Sequence, residues 1–467
     1  MYTKNQGGSF FSTRNIIIIA CAAMLVFLVA VAVVVAVMGD TGNMADRDGI
    51  ENKLEELGDA DLGHSYVASH LCEYGIGGFD AARLRRVELY FRDSSIYELP
   101  SVSEMAYKIA QLYLEYYYDK VDKADTEAVT TSLLRCFTEA TGDKYAVYRT
   151  AAELKDFDDD MSGTFIGIGV SVMQKLDPTS GMLEEVSIEE VFGGSGADDA
   201  GIIAGDLIVA VDGRPLSEFD GNTLVRAIRG EEGTTVRITV ERDGERIDFV
   251  CERRTVVDMS VRYSIDGGIG YIEISSFKLN TPTLFAEAIA AAKTAGVSGI
   301  VFDLRDNPGG YLDSVVDVID MLVPTAGVRL ASYVDVSGYE TLYSSTGSGI
   351  SLDVPVSVIC NENTASAGEL FTAAMRDFAD MGIIDATVVG TQTYGKGVMQ
   401  NTYTLFDKSS ITLTTAFYNP PSNKNYDGVG VIPDIKAEAG AEGRDNQLEV
   451  AIETLKGGVT NGPNSSI

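Results

Sequence analysis

Ser366 and Lys396 are the residues of this chain whose types and surroundings point to bond-breaking chemistry. Ser366 lies in Asn361-Glu362-Asn363-Thr364-Ala365-Ser366-Ala367-Gly368-Glu369-Leu370-Phe371, and Lys396 in Thr393-Tyr394-Gly395-Lys396-Gly397-Val398-Met399-Gln400. A serine hydroxyl becomes nucleophilic near neutral pH only beside a base, most often histidine. The chain has two histidines, His64 and His70, both far upstream in a segment with no other catalytic signature. Lysine can substitute when an apolar site or a positive dipole lowers its pKa from about 10.4 towards neutrality. Gly395 and Gly397 let the backbone turn sharply and present the amine inward. Tyr394, Val398 and Met399 supply apolar surroundings, and Gln400 can hold the amine without adding charge. Taken singly, each has a plainer reading: a serine before a helix is commonly an N-cap, and Gly-Lys-Gly commonly a surface turn.

The elements that must position these residues follow from the apolar pattern. Val354 to Ile359 is an apolar run of strand length that stops at Asn361, after which Leu370, Phe371, Ala374 and Met375 recur at helical spacing. Ser366 thus falls where a buried strand turns into a helix, close to free backbone N–H groups and the positive end of the helix dipole. Upstream, Ile269 to Ile274 reads as a strand, Thr281-Pro282 opens a helix that Gly296 closes, and Gly299 to Leu304 is a second buried strand. That strand delivers the Asn307-Pro308-Gly309-Gly310 loop to a helix marked by Leu312, Val315, Val316, Ile319 and Leu322. A strand from Ile411 to Tyr418 and a helix from Asn446 to Lys456 close the core. The alternation predicts an α/β sheet with helices on its faces. Pro308-Gly309-Gly310 can be a plain helix-leading loop. Backbone free of side chains is also what an oxyanion hole needs, which makes Gly309 or Gly310 one candidate donor and Ala367 the other.

Asp303-Leu304-Arg305-Asp306-Asn307-Pro308-Gly309-Gly310, Thr364 to Glu369, Gly390 to Gln400, Ser410 to Thr414 and Gly430-Val431-Ile432-Pro433-Asp434 follow one another in order. Together these blocks resemble the C-terminal processing peptidases, or tail-specific proteases, over residues 101–457. The resemblance implies a serine endopeptidase with a Ser366/Lys396 dyad assisted by Gln400. It also implies a crotonase/ClpP-like α/β protease core with an inserted PDZ-like β-rich domain, an N-terminal helical arm able to mediate a homodimer, and no cofactor or metal. The interval from Ser366 to Lys396 is longer than in the family, with Asp377 to Asp385 as the insertion.

Residues 162–257 carry the PDZ-like pattern. Phe165-Ile166-Gly167-Ile168-Gly169 can aim successive N–H groups at a terminal carboxylate while the peptide adds as a strand to the sheet edge. Asp212-Gly213 is a hairpin signal, Leu224, Ala227 and Ile228 mark a short helix on which Arg226 or Arg229 could relay binding, and two strands follow at Val236 to Val240 and Ile247 to Cys251. The partners expected are proteins with unstructured C-terminal tails. Two other classes stay open: a catalytically inactive PDZ scaffold that binds protein C-termini, and a crotonase-like acyl enzyme.

The first residues bear on location. Ile16 to Met38 is an unbroken apolar run of 23 residues, long enough for one transmembrane helix across a core of about 30 Å. Lys4 and Arg14 precede it and Asp40, Asp46 and Asp48 follow, which predicts a cytoplasmic N-terminus and a catalytic part on the extracytoplasmic side of the cell membrane. A cleaved signal peptide is the alternative, against which stand the length of the run and the poor Ala36-Val37-Met38 site. With 69 acidic against 36 basic residues and a formal charge of −33, a nucleic-acid partner is excluded. Cys72, Cys136, Cys251 and Cys360 lack metal-type spacing and read as free thiols. The expected organisation is 1–15 cytoplasmic, 16–38 span, 39–100 stalk or extension, 101–161 helical region, 162–257 PDZ-like domain, 258–457 protease core and 458–467 flexible tail.

Overall fold

A computed structural model describes residues 47–49, 52–53, 66–177, 182–441 and 444–457. They form two compact units, one made of the described residues within 155–334, 340–398 and 417–457, the other of those within 47–154, 335–339 and 399–416.

The first unit is built on a six-stranded sheet in the order Val261–Asp266, Ile269–Ile274, Gly299–Asp303, Val356–Cys360, Ala386–Gly390, Ile435–Lys436. The first pair is antiparallel and the remaining pairs are parallel. Gly299–Asp303 and Val356–Cys360 are buried at every residue, because helices cover both faces. On one face Phe277, Phe285, Phe302 and Phe371 meet ring to ring with centroids 5.4–6.5 Å apart, tying the helices Thr281–Ala295 and Ala367–Asp380 to the strands between them. Each ring contributes about 2–3 kcal/mol of burial. On the other face the helix Asn446–Leu455 packs Ala451 and Leu455 against Val301, Ile359 and Val389. Asp445 caps that helix, and Arg305 joins its carboxylate to that of Asp303. The stretch expected as an insertion forms the last turn of Ala367–Asp380 and a reversal that Gly382 makes at φ 68°.

The same unit holds a six-stranded antiparallel sheet, in the order Val170–Leu176, Leu183–Val191, Leu207–Val211, Thr235–Arg242 and Glu245–Glu252, with the short strand Arg214–Pro215 also paired to Leu207–Val211. Its core is Ile188, Ile208, Phe219, Leu224, Ile238 and Val240 with their neighbours, closed by the helix Gly221–Ile228. Asp212 and Gly213 take φ of 49° and 79°, the left-handed pair that a two-residue hairpin turn requires. Asp206, whose side chain is fully buried, is gripped by Arg242 Nε at 2.6 Å and Nη2 at 2.7 Å and accepts Ile203 N–H at 3.0 Å.

In the second unit four helices, Val67–Glu73, Ala81–Ser94, Val102–Tyr116 and Thr126–Ala140, share one buried cluster with Tyr148 and with Leu405, Ile411 and Leu413 of the 399–416 hairpin. Within the expected stalk or extension, residues 67–94 therefore contribute to a packed core. Cys136, Cys251 and Cys360 are buried, and burial pushes their thiols up to about 12, about 11 and about 12. They pack as small apolar groups.

The fold-class expectation needs one correction, the transmembrane helix. Among the described residues no helix is long and apolar enough to cross a membrane. The longest, Val102–Tyr116, Thr126–Ala140 and Thr281–Ala295, have 15 residues each and rise about 22 Å, short of a core of about 30 Å. The 16–38 run, like 1–15 and 458–467, lies outside the described residues. What stands is a mixed α/β fold with a PDZ-like module.

Arg242→Ala strands the Asp206 carboxylate in the module and is expected to cost about 2–3 kcal/mol in urea denaturation. Burial alone would raise the Asp206 pKa, but Arg242 and the Ile203 N–H outweigh it and hold the carboxyl below its ordinary 3.8. The stability it contributes is therefore present above about pH 4 and lost as pH falls through the lower folded value. Arg242→Ala should flatten that acid limb.

Candidate active site

Three loops leave the C-terminal ends of adjacent parallel strands and are stitched to one another. After Asp303 come Leu304 to Gly310, after Cys360 Asn361 to Ser366, and after Gly390 Thr391 to Gly397. Thr364 Oγ1 donates to the Leu304 carbonyl at 2.8 Å, Ala365 N–H to the Asn307 carbonyl at 2.8 Å, and Tyr394 N–H to the Thr364 carbonyl at 3.0 Å. Asn361 Nδ2 and Asn363 Nδ2 both donate to Asp306 Oδ1, at 2.9 and 2.8 Å. These amides hold the Asp306 carboxyl below its ordinary range.

Ser366 precedes the helix Ala367–Asp380 with φ 54° and ψ −119°. An N-cap residue takes extended, negative-φ backbone, so a plain capping role does not account for this geometry. A positive φ at a residue with a Cβ stores on the order of 1–3 kcal/mol, and such strain gathers at functional sites. The neighbouring loop is close enough to require glycine: a Cβ on Gly309, at φ 105°, would lie 2.6 Å from Ser366 Cβ and 2.9 Å from Ala367 N. Gly309 N–H itself donates to Asn307 Oδ1 at 2.8 Å, and its carbonyl accepts Phe277 N–H at 2.9 Å. Asn307 is fully buried and anchored through Nδ2 to the Ile274 carbonyl at 2.7 Å. Among the described residues no protein group accepts the N–H of Gly310 or of Ala367.

Lys396 is half-buried, and the glycines beside it have local causes. A Cβ on Gly395 would lie 3.0 Å from Gly430 N, and one on Gly397 2.7 Å from Asp427 N. Gly397 N–H donates to Asp427 Oδ1 at 3.0 Å, and its carbonyl accepts Asn425 Nδ2 at 2.8 Å.

The two halves meet on Glu369, which is completely buried. Its Oε2 accepts Ser366 N–H at 2.9 Å and Lys396 N–H at 2.8 Å; its Oε1 accepts Gly395 N–H and the Thr393 hydroxyl, each at 2.6 Å. Thr393 Oγ1 in turn accepts Val431 N–H at 2.6 Å. A buried carboxylate is tolerable only when its lone pairs are filled, and here four donors fill them.

Two buried phenols reach the carbonyls of the same two residues. Tyr418 Oη donates to the Lys396 carbonyl at 2.6 Å, and Tyr426 Oη to the Ser366 carbonyl at 3.4 Å. Gln400 belongs to the second unit, on the strand Val398–Thr404, where Nε2 donates to Thr414 Oγ1 at 3.3 Å. Thr414 is held by Asp143, which accepts its N–H and its hydroxyl at 2.8 and 3.0 Å.

In the PDZ-like module the expected peptide loop is divided in role. Thr164–Gly167 pairs with Arg254–Val257, which places Phe165 opposite Val256 and Gly167 opposite Arg254. Ile166 is exposed, and the Arg229 guanidinium lies 4.8 Å from the centre of the Phe165 ring. Ile168 is packed in the core, its carbonyl accepting Ala197 N–H, and the Gly169 carbonyl accepts Phe192 N–H. Arg226 pairs with Asp156 at 2.7 Å.

Glu369, Thr393, Asn307, Tyr418 and Tyr426 are the site residues that reading the sequence missed. Glu369 alone carried a local signal, the Ser-x-x-Glu spacing at a helix start. The bonds that tie the others to Lys396, Glu369, Ile274 and Ser366 span 22 to 60 positions.

Residues 268–437 match Peptidase family S41 and residues 188–242 match a PDZ domain. The Staphylococcus haemolyticus (strain JCSC1435) protein named "Probable CtpA-like serine protease" is 33% identical over 341 residues, 73% of this chain and 65% of that one. Its namesake in Staphylococcus epidermidis (strain ATCC 12228 / FDA PCI 1200) is 32% identical over 335 residues, 70% of this chain and 64% of that one. The chain thus spans about 65% of the length of these relatives. The solved structure titled "Putative S41 protease from Bacteroides fragilis NCTC 9343", 16% identical, covers 80% of this chain and 98% of its own at a TM-score of 0.51, and shows the fold alone.

Ser366→Gly should be more stable than Ser366→Ala by about 1 kcal/mol in chemical denaturation, since glycine relieves the positive φ. Glu369→Gln turns an NH2 group towards N–H donors and should cost about 2–3 kcal/mol, with faster amide exchange at Gly395 and Lys396.

Proposed function

We propose that the chain is a member of Peptidase family S41, whose model matches residues 268–437, and a serine endopeptidase that takes the unstructured C-terminal tails of proteins and cleaves them through Ser366 and Lys396. The observation that carries this reading is the meeting of the Ser366 and Lys396 backbone amides on one buried carboxylate, which ties nucleophile and base into one rigid element. In the reaction Lys396 Nζ takes the proton of Ser366 Oγ as that oxygen attacks the peptide carbonyl. The N–H groups of Gly310 and Ala367 receive the tetrahedral oxygen; Gly309, whose N–H is engaged by Asn307, does not. The lysine then gives its proton to the leaving amine, and the acyl-enzyme is hydrolysed by a water that Lys396 deprotonates in turn. The resemblance gives Gln400 an assisting role. The PDZ module would hold the tail's terminal carboxylate at the Phe165 to Gly169 loop.

The test is digestion of an unstructured protein followed by mass spectrometry of the products. Wild type should release peptides that Ser366→Ala and Lys396→Ala do not, with turnover lowered about 10³-fold or more. A scaffold that only binds tails would leave the substrate intact with wild type as well, and that result would remove the endopeptidase reading.

A further inference from the structure

Glu369 holds the two proposed catalytic residues by their N–H groups only. Their carbonyls are held from elsewhere. Tyr418 and Tyr426 are 4% and 6% exposed, with ring centroids 5.9 Å apart and planes at 78°. Their hydroxyls reach the carbonyls of Lys396 and Ser366, at 2.6 and 3.4 Å. The Ser366 carbonyl already accepts Leu370 N–H at 3.0 Å, so the Tyr426 contact is an added restraint and not the rescue of an orphaned acceptor. Lys396 lies outside any helix or strand. Packing alone would be met by phenylalanine at either position, whereas a buried phenol requires a partner.

We infer that Tyr418 and Tyr426 are a positioning pair, which restrains the carbonyls of Lys396 and Ser366 while Glu369 holds their N–H groups, and so sets the approach of amine to hydroxyl. The pair acts through those two residues and touches no reacting atom, and the inference rests on the Ser366/Lys396 reading. Each residue is thereby held at both its donor and its acceptor, against the backbone strain at Ser366 that would otherwise relax by rotating its peptide. The chain carries both hydroxyls in on one segment: Tyr418 N–H donates to the Gly397 carbonyl at 3.2 Å, and Gly430 N–H to the Tyr426 carbonyl at 2.8 Å. Burial first, then Tyr418 and Glu369, push the Tyr426 phenol well above its usual range, so it remains a hydrogen-bond donor wherever the enzyme is folded.

Tyr418→Phe and Tyr426→Phe remove one hydroxyl each and keep the rings. Both should lower kcat about 5- to 20-fold, with KM within about twofold, and should slow phosphonylation of Ser366 by a fluorophosphonate in parallel. Melting temperatures should stay within about 5 °C of wild type, and the double variant should be less impaired than the product of the two. A purely structural role would lower melting and leave kcat and labelling per folded molecule unchanged, which overturns the positioning role. Wild-type protein that resists the fluorophosphonate sinks the Ser366/Lys396 reading and the pair with it; labelled wild type with equally labelled variants sinks the pair alone.

Discussion

The carboxylate of Glu369 is the constraint on which the rest of the site depends. A fully buried anion loses several kcal/mol of hydration and is kept only where donors replace water. Here those donors come from Ser366, three residues before it, and from Thr393, Gly395 and Lys396, more than twenty residues after it. The loop that bears the lysine therefore has one low-energy position, against the start of the helix that bears the serine. Displacing it would leave both a buried charge short of donors and two orphaned backbone amides, those of Gly395 and Lys396. The same arrangement makes the site expensive to alter piecemeal, since each donor is fixed by the acceptor it shares with the others.

That carboxylate can work only because the sheet brings the three loops to one edge. Parallel strands that are buried on both faces end together, and the residues past their C-terminal ends converge where backbone N–H groups are still unspent. Close approach then selects small residues. Gly309 lies against Ser366 Cβ, Gly395 and Gly397 lie against the 425–430 segment, and Gly310 is pressed against the Phe277 carbonyl. The glycines flanking Lys396 are thus explained by packing against a segment some thirty residues downstream. The positive φ of Ser366 is strain that the hydrogen bonds around it hold in place.

The acidic composition and the PDZ-like module concern what reaches the site. Among the described residues the module's fully buried acidic side chain is Asp206, which Arg242 pairs from a partly exposed position, and it fixes the turn that leads into the strand Leu207–Val211. The loop expected to meet a peptide terminus splits between an exposed Ile166 and a core residue, Ile168. Alternation of side chains along an extended segment imposes that split.

The sequence by itself determined the α/β order of the core, the PDZ-like strands, and Ser366 with Lys396 as the pair to examine, because periodicity and local motifs are short-range properties. It reached a transmembrane helix from hydropathy alone, whereas the helices described stop at 15 residues and are stabilised by packing. It left Gly309 and Gly310 equivalent, since both are small and follow a proline; the side chain of Asn307 separates them. It left residues 39–100 as a stalk or N-terminal extension, because the apolar positions there have no partner within reach along the chain; the folded unit buries positions of 67–94 with a hairpin more than three hundred residues away. Only tertiary structure could decide that Glu369 is a buried hub and that Tyr418 and Tyr426 lie beneath the site. Desolvation and the convergence of donors are properties of space, which linear spacing does not record.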